Sequence, residues 1–306
     1  METVPCPISN STEFTPWLEV PDRFDSSGKT RWKLVQSCAS GLIMLNPRPD
    51  CSEAASHYRR VQYEPYLHEN SNSSLSERAY LAARSLLLRY RASLILNGAV
   101  KPTRKLSILE IGCATGDLLN FFHRNRGVPL DHLTGVEPDA ESAAYAREVF
   151  GLRVSPSLKD RNSYGFDRIV LWHTLEHIHE INETLHCAAS LLEPDGVLVI
   201  ALPNPACSGA KYYRENWIAW DAPRHLFHFM PGTLEKLLEQ HHLSVFKRLP
   251  WFPDALYNTF YSEKLRCGRF HLLQQGIALG RTMVSLGKEV LWPKEASTFI
   301  YFARKT

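Results

Sequence analysis

Lys105-Leu106-Ser107-Ile108-Leu109-Glu110-Ile111-Gly112-Cys113-Ala114-Thr115-Gly116-Asp117-Leu118-Leu119 decides the fold. Leu106, Ile108, Leu109 and Ile111 form a short apolar run of strand formers, and beyond two glycines Leu118, Leu119, Phe121 and Phe122 recur at helical spacing. The stretch reads as strand, tight loop and helix, the turn with which open α/β sheets cradle a nucleotide. A dinucleotide loop carries glycine at its first, third and sixth positions, because the backbone must approach a pyrophosphate seated on a helix N-terminus. Here Ala114 and Asp117 stand third and sixth. A carboxylate on the first turn repels phosphate, so the loop is expected to favour a phosphate-free, cationic ligand.

S-adenosylmethionine meets that description, with a sulfonium, an ammonium and no phosphate. Downstream, Leu133-Thr134-Gly135-Val136-Glu137-Pro138-Asp139 reads as a second strand ending in an acid, where such folds place the carboxylate that grips both ribose hydroxyls. Glu110, at the end of the first strand, is placed for the ligand's amino group. The pairing of E-x-G-x-x-x-G with V-E-P-D resembles the class I S-adenosylmethionine-dependent methyltransferases, and Leu191 to Ile200 is similar to their fifth strand, L-L-x-P-x-G-x-L-x-I. The resemblance implies an α/β, Rossmann-like fold with a seven-stranded, mostly parallel sheet. It implies cofactor contacts at Glu110, Gly112, Cys113, Ala114, Gly116, Glu137 and Pro138, with Trp172 as a wall of the pocket. Tyr66 or Tyr63 would line the methionine end, or else pack a helix onto the sheet.

Composition narrows the class. The chain has 306 residues, 44% of them hydrophobic, enough for a sizeable core. A net charge of +3 without blocks of like charge argues against a nucleic-acid partner. The N-terminus lacks the basic and apolar regions of a signal peptide, and seven scattered cysteines suit a reducing compartment, so a cytoplasmic location is expected. Phe270 to Trp292, with three interior glycines plus Arg281, Lys288 and Glu289, is too polar to span a bilayer.

The expected organisation is an N-terminal segment (1–50), a helical cap (51–100) and a catalytic domain (101–306) with insertions at 205–232 and 252–296. Hairpin arms are expected at 32–35 and 42–45. The run Gly41-Leu42-Ile43-Met44-Leu45-Asn46-Pro47-Arg48-Pro49 resembles a branch of the family that begins with a zinc ribbon of two C-x-x-C knuckles. Aligned so, the ligand positions are Cys6, Ser9, Ser37 and Ser40, with Cys38 displaced by one. Serine does not replace thiolate at a structural zinc, so this segment is expected to be a metal-free relic. Helices are expected to start on a Ser52 cap, at Pro138-Asp139 and on a Thr233 cap. The 252–296 insertion reads as a helical lid, with a homodimer face or a membrane-surface helix as alternatives.

Asp167 to Trp172 reads as a buried strand followed by His173-Thr174-Leu175-Glu176-His177. His173-x-x-Glu176-His177 matches an inverted zinc-protease signature, but that motif requires a helix, and a strand ends here. The segment resembles the loop after the fourth strand in ubiquinone-type O-methyltransferases, whose E-H dipeptide Glu176-His177 matches. Three roles are open: His173 as the base that removes the acceptor's proton, a divalent ion held by His173, Glu176 and His177, or Glu176-His177 as a helix cap. Farther on, Asp221-Ala222-Pro223-Arg224-His225-Leu226-Phe227-His228-Phe229 resembles a D-x-P-R-H-L-x-H-F run of the zinc-ribbon branch. With Trp217 and Trp220 it is expected to form a substrate wall, with His225 as a second candidate base and Asp221, Arg224 and His228 as polar anchors. The alternative for Asp221 and Arg224 is an ion pair within the loop. The expected activity is methyl transfer to a small-molecule acceptor in biosynthetic metabolism, first to oxygen, then carbon or nitrogen, the acceptor being partly apolar and anionic if Arg224 anchors it. A catalytically idle S-adenosylmethionine-binding protein and an NAD-binding oxidoreductase are the competing readings.

Overall fold

The computed structural model of the chain describes residues 1–25, 27–58, 75–160, 165–267 and 271–306. Strands β1 (Phe14–Pro21), β2 (Arg31–Ser37) and β3 (Ile43–Leu45) come first, then helices α1 (Cys51–Tyr58) and α2 (Leu75–Leu96). Strand and helix then alternate through β4 (Ile108–Ile111), α3 (Asp117–Arg126), β5 (Leu133–Val136), α4 (Ala140–Phe150), β6 (Arg153–Ser155), β7 (Phe166–Trp172), α5 (Ile181–Leu191) and β8 (Leu192–Pro203). The chain closes with α6 (Ser208–Tyr213), β9 (Phe227–His228), α7 (Pro231–Glu239), β10 (Leu243–Pro250), α8 (Pro253–Cys267), α9 (Leu272–Leu291) and β11 (Thr298–Lys305).

Seven strands form one sheet in the order β10-β11-β8-β7-β4-β5-β6. β4 runs parallel to both β5 and β7, and β5 to β6. All four residues of β4 are buried, which is why its sequence is a near-continuous apolar run rather than an alternation. Strand order reverses at β4, since the chain steps to β5 on one side and later to β7 on the other. Open α/β sheets bind ligands beyond the carboxyl ends of the strands at such a reversal. The α/β sheet implied by the sequence is therefore the one that forms.

By contacts the chain divides into two compact units, one of Met1–Val61, His173–Leu185 and Ile200–Phe302, the other of Gln62–Trp172, His186–Val199 and Ala303–Thr306. In the first, β1, β2, β3 and β9 form an antiparallel sheet in that order, with Ile43 paired to His228 and Met44 to Phe227. Strands from residues 1–50 thus share a sheet with Phe227 and His228. The hairpin arms are β2 and β3. The sequence did not announce β1, because Pro16 and Pro21 argue against a strand; it lies at the sheet edge, and its register shifts between Pro16 and Leu18.

Two helix starts move from their expected positions. Asp50 caps α1, its Oδ1 accepting from the N–H groups of Ser52 and Glu53. α7 starts after Met230 with Pro231 in its first turn, and the Thr233 hydroxyl donates back to the Met230 carbonyl. α4 begins as expected, Asp139 accepting from the Ser142 N–H, and ends at Gly151 in the left-handed conformation. α9 buries Ala278, Thr282 and Glu289 and leaves Leu272, Leu273, Met283 and Leu291 exposed, as is Trp292 just beyond its end. No helix among the described residues is long and apolar enough to cross a membrane.

Candidate active site

The loop between β4 and α3 is held open by its own backbone. Gly112, Ala114 and Gly116 all have positive φ, of 74°, 47° and 80°. Such a value costs a glycine nothing and strains an alanine, which persists only where its surroundings fix it. Glu137 does the fixing: one carboxylate oxygen accepts from the Ala114 N–H at 2.8 Å and the other from the Asp139 N–H at 2.9 Å. Each oxygen keeps a lone pair for a ligand hydroxyl. Gly135, on β5, leaves the space that the Cys113 thiol fills.

Glu110 is 3% exposed. Burial pushes its carboxyl up to about 7, against the pull of Arg91, whose Nη2 lies 2.7 Å from Oε1. The other oxygen, Oε2, has no hydrogen-bond partner among the described residues. Arg91 also lies over the Trp172 ring, 4.4 Å from its centre. Asp117 departs from expectation. Arg84 pairs with it, and the Thr115 hydroxyl donates to it at 2.7 Å. Its repulsion of phosphate is therefore largely neutralised, and the preference for a cation falls to Glu110 and Glu137.

The histidine-rich segment belongs to the other unit. His173, the residue after β7, has a φ of 52°, and its backbone N–H donates to Ala201. That conformation points Nε2 at Asp254 Oδ2, 2.8 Å away, and leaves Nδ1 3.5 Å from Glu176 Oε1. Burial disfavours the imidazolium, but Asp254 and Glu176 outweigh it and lift His173 to about 10. Glu176 sits in a tight turn, Leu175 to His177, with both carboxylate oxygens unpartnered among the described residues. Burial opposes its charge, yet the neighbouring His173 holds the carboxyl at about 2. His177 is pushed down to about 4 by burial and His225, and burial lowers His225 as well. The two rings meet edge to face, with centres 4.6 Å apart. The residues that converge are thus Glu176, His177 and His225, while His173 turns aside to Asp254.

A family model described as a methyltransferase domain matches residues 58–247. The chain belongs to that methyltransferase family. Comparison with curated proteins gave no significant match. Among solved structures, geranyl diphosphate C-methyltransferase from Streptomyces coelicolor A3(2), in complex with Mg2+, geranyl diphosphate and S-adenosyl-L-homocysteine, is 14% identical over 78% of this chain and 88% of its own, with a TM-score of 0.50. Its likeness shows the fold alone. Cyclopropane synthase MmaA2 from Mycobacterium tuberculosis is 16% identical over 78% and 87%, with a TM-score of 0.48.

The methyltransferase takes S-adenosylmethionine as its cofactor, and the loop residues fit it. Glu110 offers a buried, unpartnered oxygen where a cation would compensate the carboxylate, and a side chain at Gly116 would collide with Leu152. Tyr63 and Tyr66 lie outside the described residues.

The aromatic segment of the methyltransferase is core rather than wall. Trp217 and Trp220 are 1% and 3% exposed and pack edge to face, and Trp220 packs likewise on buried His228. Arg224 does not act as a free anchor. Its Nε and Nη2 both bind Asp221 Oδ1, at 2.8 and 2.6 Å, and its guanidinium covers Phe24. Arg23 clamps Asp221 from the other side, so the loop ion pair is what forms. In the N-terminal segment the four knuckle positions do meet: Cys6 Sγ lies 3.1 Å from Ser40 Oγ, and Ser9 Oγ 3.4 Å from Ser37 Oγ. Cys38 is exposed.

Sequence reasoning missed Arg91 and Asp254. Arg91 carried no signal beyond its place on a long helix. Asp254 sits in Phe252-Pro253-Asp254, which reads as an ordinary helix start.

Proposed function

We propose that the enzyme transfers the S-adenosylmethionine methyl group to a hydroxyl oxygen of a small, partly apolar molecule. The observation that carries this is the buried Glu110 oxygen without a partner among the described residues, a carboxyl in the switch-point loop whose charged form the cofactor's ammonium would stabilise. Glu137 and Pro138 would meet the ribose, Gly112, Cys113, Ala114 and Gly116 the backbone of the loop, and Trp172 the apolar part of the pocket. Bound there, the cofactor supplies an electrophilic methyl group. The protein's contribution is to hold the acceptor in line, exclude water and remove a proton.

His225 is the better base of the two candidates. Its Nδ1 faces the Ala219 carbonyl at 2.8 Å, which places the proton there and leaves Nε2 free to accept one. His173, clamped between Asp254 and Glu176, has no nitrogen to spare and serves to hold Glu176 in place. With Arg224 engaged inside its loop, the reading of an anionic acceptor loses its support. We read 51–100 as a cap and 252–296 as a lid, and place the enzyme in the cytoplasm, with an exposed α9 that would also suit a homodimer. The similarity of Glu176-His177 to ubiquinone-type O-methyltransferases favours oxygen over carbon or nitrogen.

Incubating the protein with methyl-labelled cofactor and a panel of hydroxylated small molecules, with mass spectrometry of products, tests the reading. Labelled ether products that vanish in Glu110→Gln support it. Cofactor binding without transfer to any extract or panel member would favour the idle binding protein instead.

A further inference from the structure

Glu176, His177 and His225 bring one ligand atom each to within 4.8 Å of one another. Their hydrogen bonds decide which atoms face inward. Nδ1 of His177 lies 3.0 Å from the Arg224 carbonyl oxygen, and Nδ1 of His225 lies 2.8 Å from that of Ala219. A carbonyl only accepts, so each Nδ1 carries the proton and each neutral ring presents a bare lone pair at Nε2. The Tyr58 hydroxyl, 2.9 Å from His177 Nδ1, adds a second partner on that same edge. Glu176 is 1% exposed, and neither of its carboxylate oxygens has a hydrogen-bond partner among the described residues. His173 stands off at 3.5 Å, with its other nitrogen committed to Asp254.

Three acceptors therefore gather, two of them on buried residues and His177 half-buried, and among the described residues the one donor near them is His173 Nδ1, 3.5 Å from a single Glu176 oxygen. His173 lies to one side and is committed to Asp254, so the second Glu176 oxygen and the two Nε2 lone pairs still face one another with no donor among the described residues, an arrangement that a cation between them would satisfy. We propose that Glu176, His177 and His225 bind a divalent first-row transition-metal ion through the carboxylate and the two Nε2 atoms. Two imidazoles and one carboxylate favour Zn2+, Co2+ or Fe2+ over Mg2+ and Ca2+, which prefer oxygen ligands throughout. The two Nδ1–H bonds to carbonyls are the outer supports that fix the tautomer and aim of metal-binding histidines. Three protein ligands leave a position open for water or an acceptor oxygen. This ligand set replaces His173 of the sequence-based triad by His225, a residue distant in the chain. Using the open position to acidify an acceptor hydroxyl rests on the methyl-transfer reading, and the ion would then take over the part of His225, whose Nε2 is no longer free to act as the base; metal binding itself does not rest on that reading.

The test is titration of the chelator-stripped, full-length protein with Zn2+ and Co2+ in the absence of cofactor. One equivalent should bind, with roughly tenfold or greater weakening in Glu176→Gln and in His225→Gln, and none in His271→Gln at an exposed control position. Since the buried substitutions could unfold the chain, pulsed EPR of the Cu2+-loaded wild type provides a second measurement and should count two coordinated imidazoles. Failure of the wild type to bind stoichiometrically, undiminished binding in both variants, or fewer than two imidazoles would overturn the proposal. None of these readouts involves turnover, so their failure and that of the methyl-transfer reading are distinguishable.

Discussion

Arg91 Nη2 lies 2.7 Å from Glu110 Oε1, while the second oxygen of that buried carboxylate has no partner among the described residues. The pair is half-neutralised. Burial raises Glu110 to about 7 in spite of Arg91, above the ordinary 4.5, so the folded state holds this proton longer than the unfolded chain does. Stability should therefore fall as pH rises from 4.5 to about 7. A cationic ligand has the opposite dependence, because it needs the ionised carboxylate. Affinity for S-adenosylhomocysteine should climb over the upper part of that interval, by up to about tenfold per pH unit, and level off above it. Glu110→Gln should flatten the profile and weaken binding about tenfold or more while sparing stability. Calorimetry between about pH 5.5 and 8 reads both effects.

Asp221 stands between two guanidinium groups, Arg23 Nε at 2.7 Å and Arg224 Nη2 at 2.6 Å. Despite burial, Arg23 and Arg224 hold its carboxyl well below the ordinary carboxylate range. Its contribution to stability is present above the unfolded value near 3.8 and is lost only in stronger acid. Asp221→Asn removes the carboxylate shared by two cations, leaving fully buried Arg224 with Asp22 at 3.5 Å and Arg23 with the Tyr257 hydroxyl, and should cost about 3 kcal/mol. Urea denaturation at neutral pH checks this. A loss below about 1 kcal/mol would return Arg224 to the role of a ligand anchor.

Three glycines separate crowding from backbone strain. A Cβ at Gly135 would collide with the Cys113 thiol, and one at Gly116, where φ is 80°, with Leu152. Gly127, with φ of 70°, has nothing within 4 Å. Gly127→Ala should cost about 1 kcal/mol, from strain alone. Gly116→Ala should cost about 2–4 kcal/mol and lower cofactor affinity, since strain and overpacking add. Thermal melts with and without S-adenosylhomocysteine measure both.

The N-terminal knuckle positions supply a gain-of-function test. Cys6, Ser9, Ser37 and Ser40 already sit within hydrogen-bond reach in pairs. Ser9→Cys, Ser37→Cys and Ser40→Cys combined should create a thiolate site that binds Zn2+ and gives the tetrahedral Co2+ spectrum, absent from the parent segment. A triple variant with no such spectrum would mean that the resemblance to a zinc ribbon stops at the sequence.

What the sequence made legible was local. The run from Leu106 to Phe122 contains its own strand, turn and helix, and Glu137 follows at the spacing the fold requires, so the cofactor loop is legible from the residues alone. The histidine cluster is not, because Glu176 and His177 meet His225 only through tertiary folding, and His173 finds its partner in Asp254 on a helix entered much later. The segment from Trp217 to His228 misled for a related reason. Outside regular elements no periodicity separates a pocket wall from a core, and partners such as Arg23, which convert Arg224 from an anchor to a strut, leave no mark near it in the chain. β1 was hidden by prolines that an edge strand tolerates.

Every functional assignment depends on the loop after β4 binding a phosphate-free adenosyl compound through its ribose and its cationic amino group. Titration calorimetry with S-adenosylhomocysteine, beside NAD, tests it most directly. Clear binding of the first, lost in Glu137→Ala, with none of the second, is the predicted result. Binding of NAD with no measurable affinity for S-adenosylhomocysteine would contradict it.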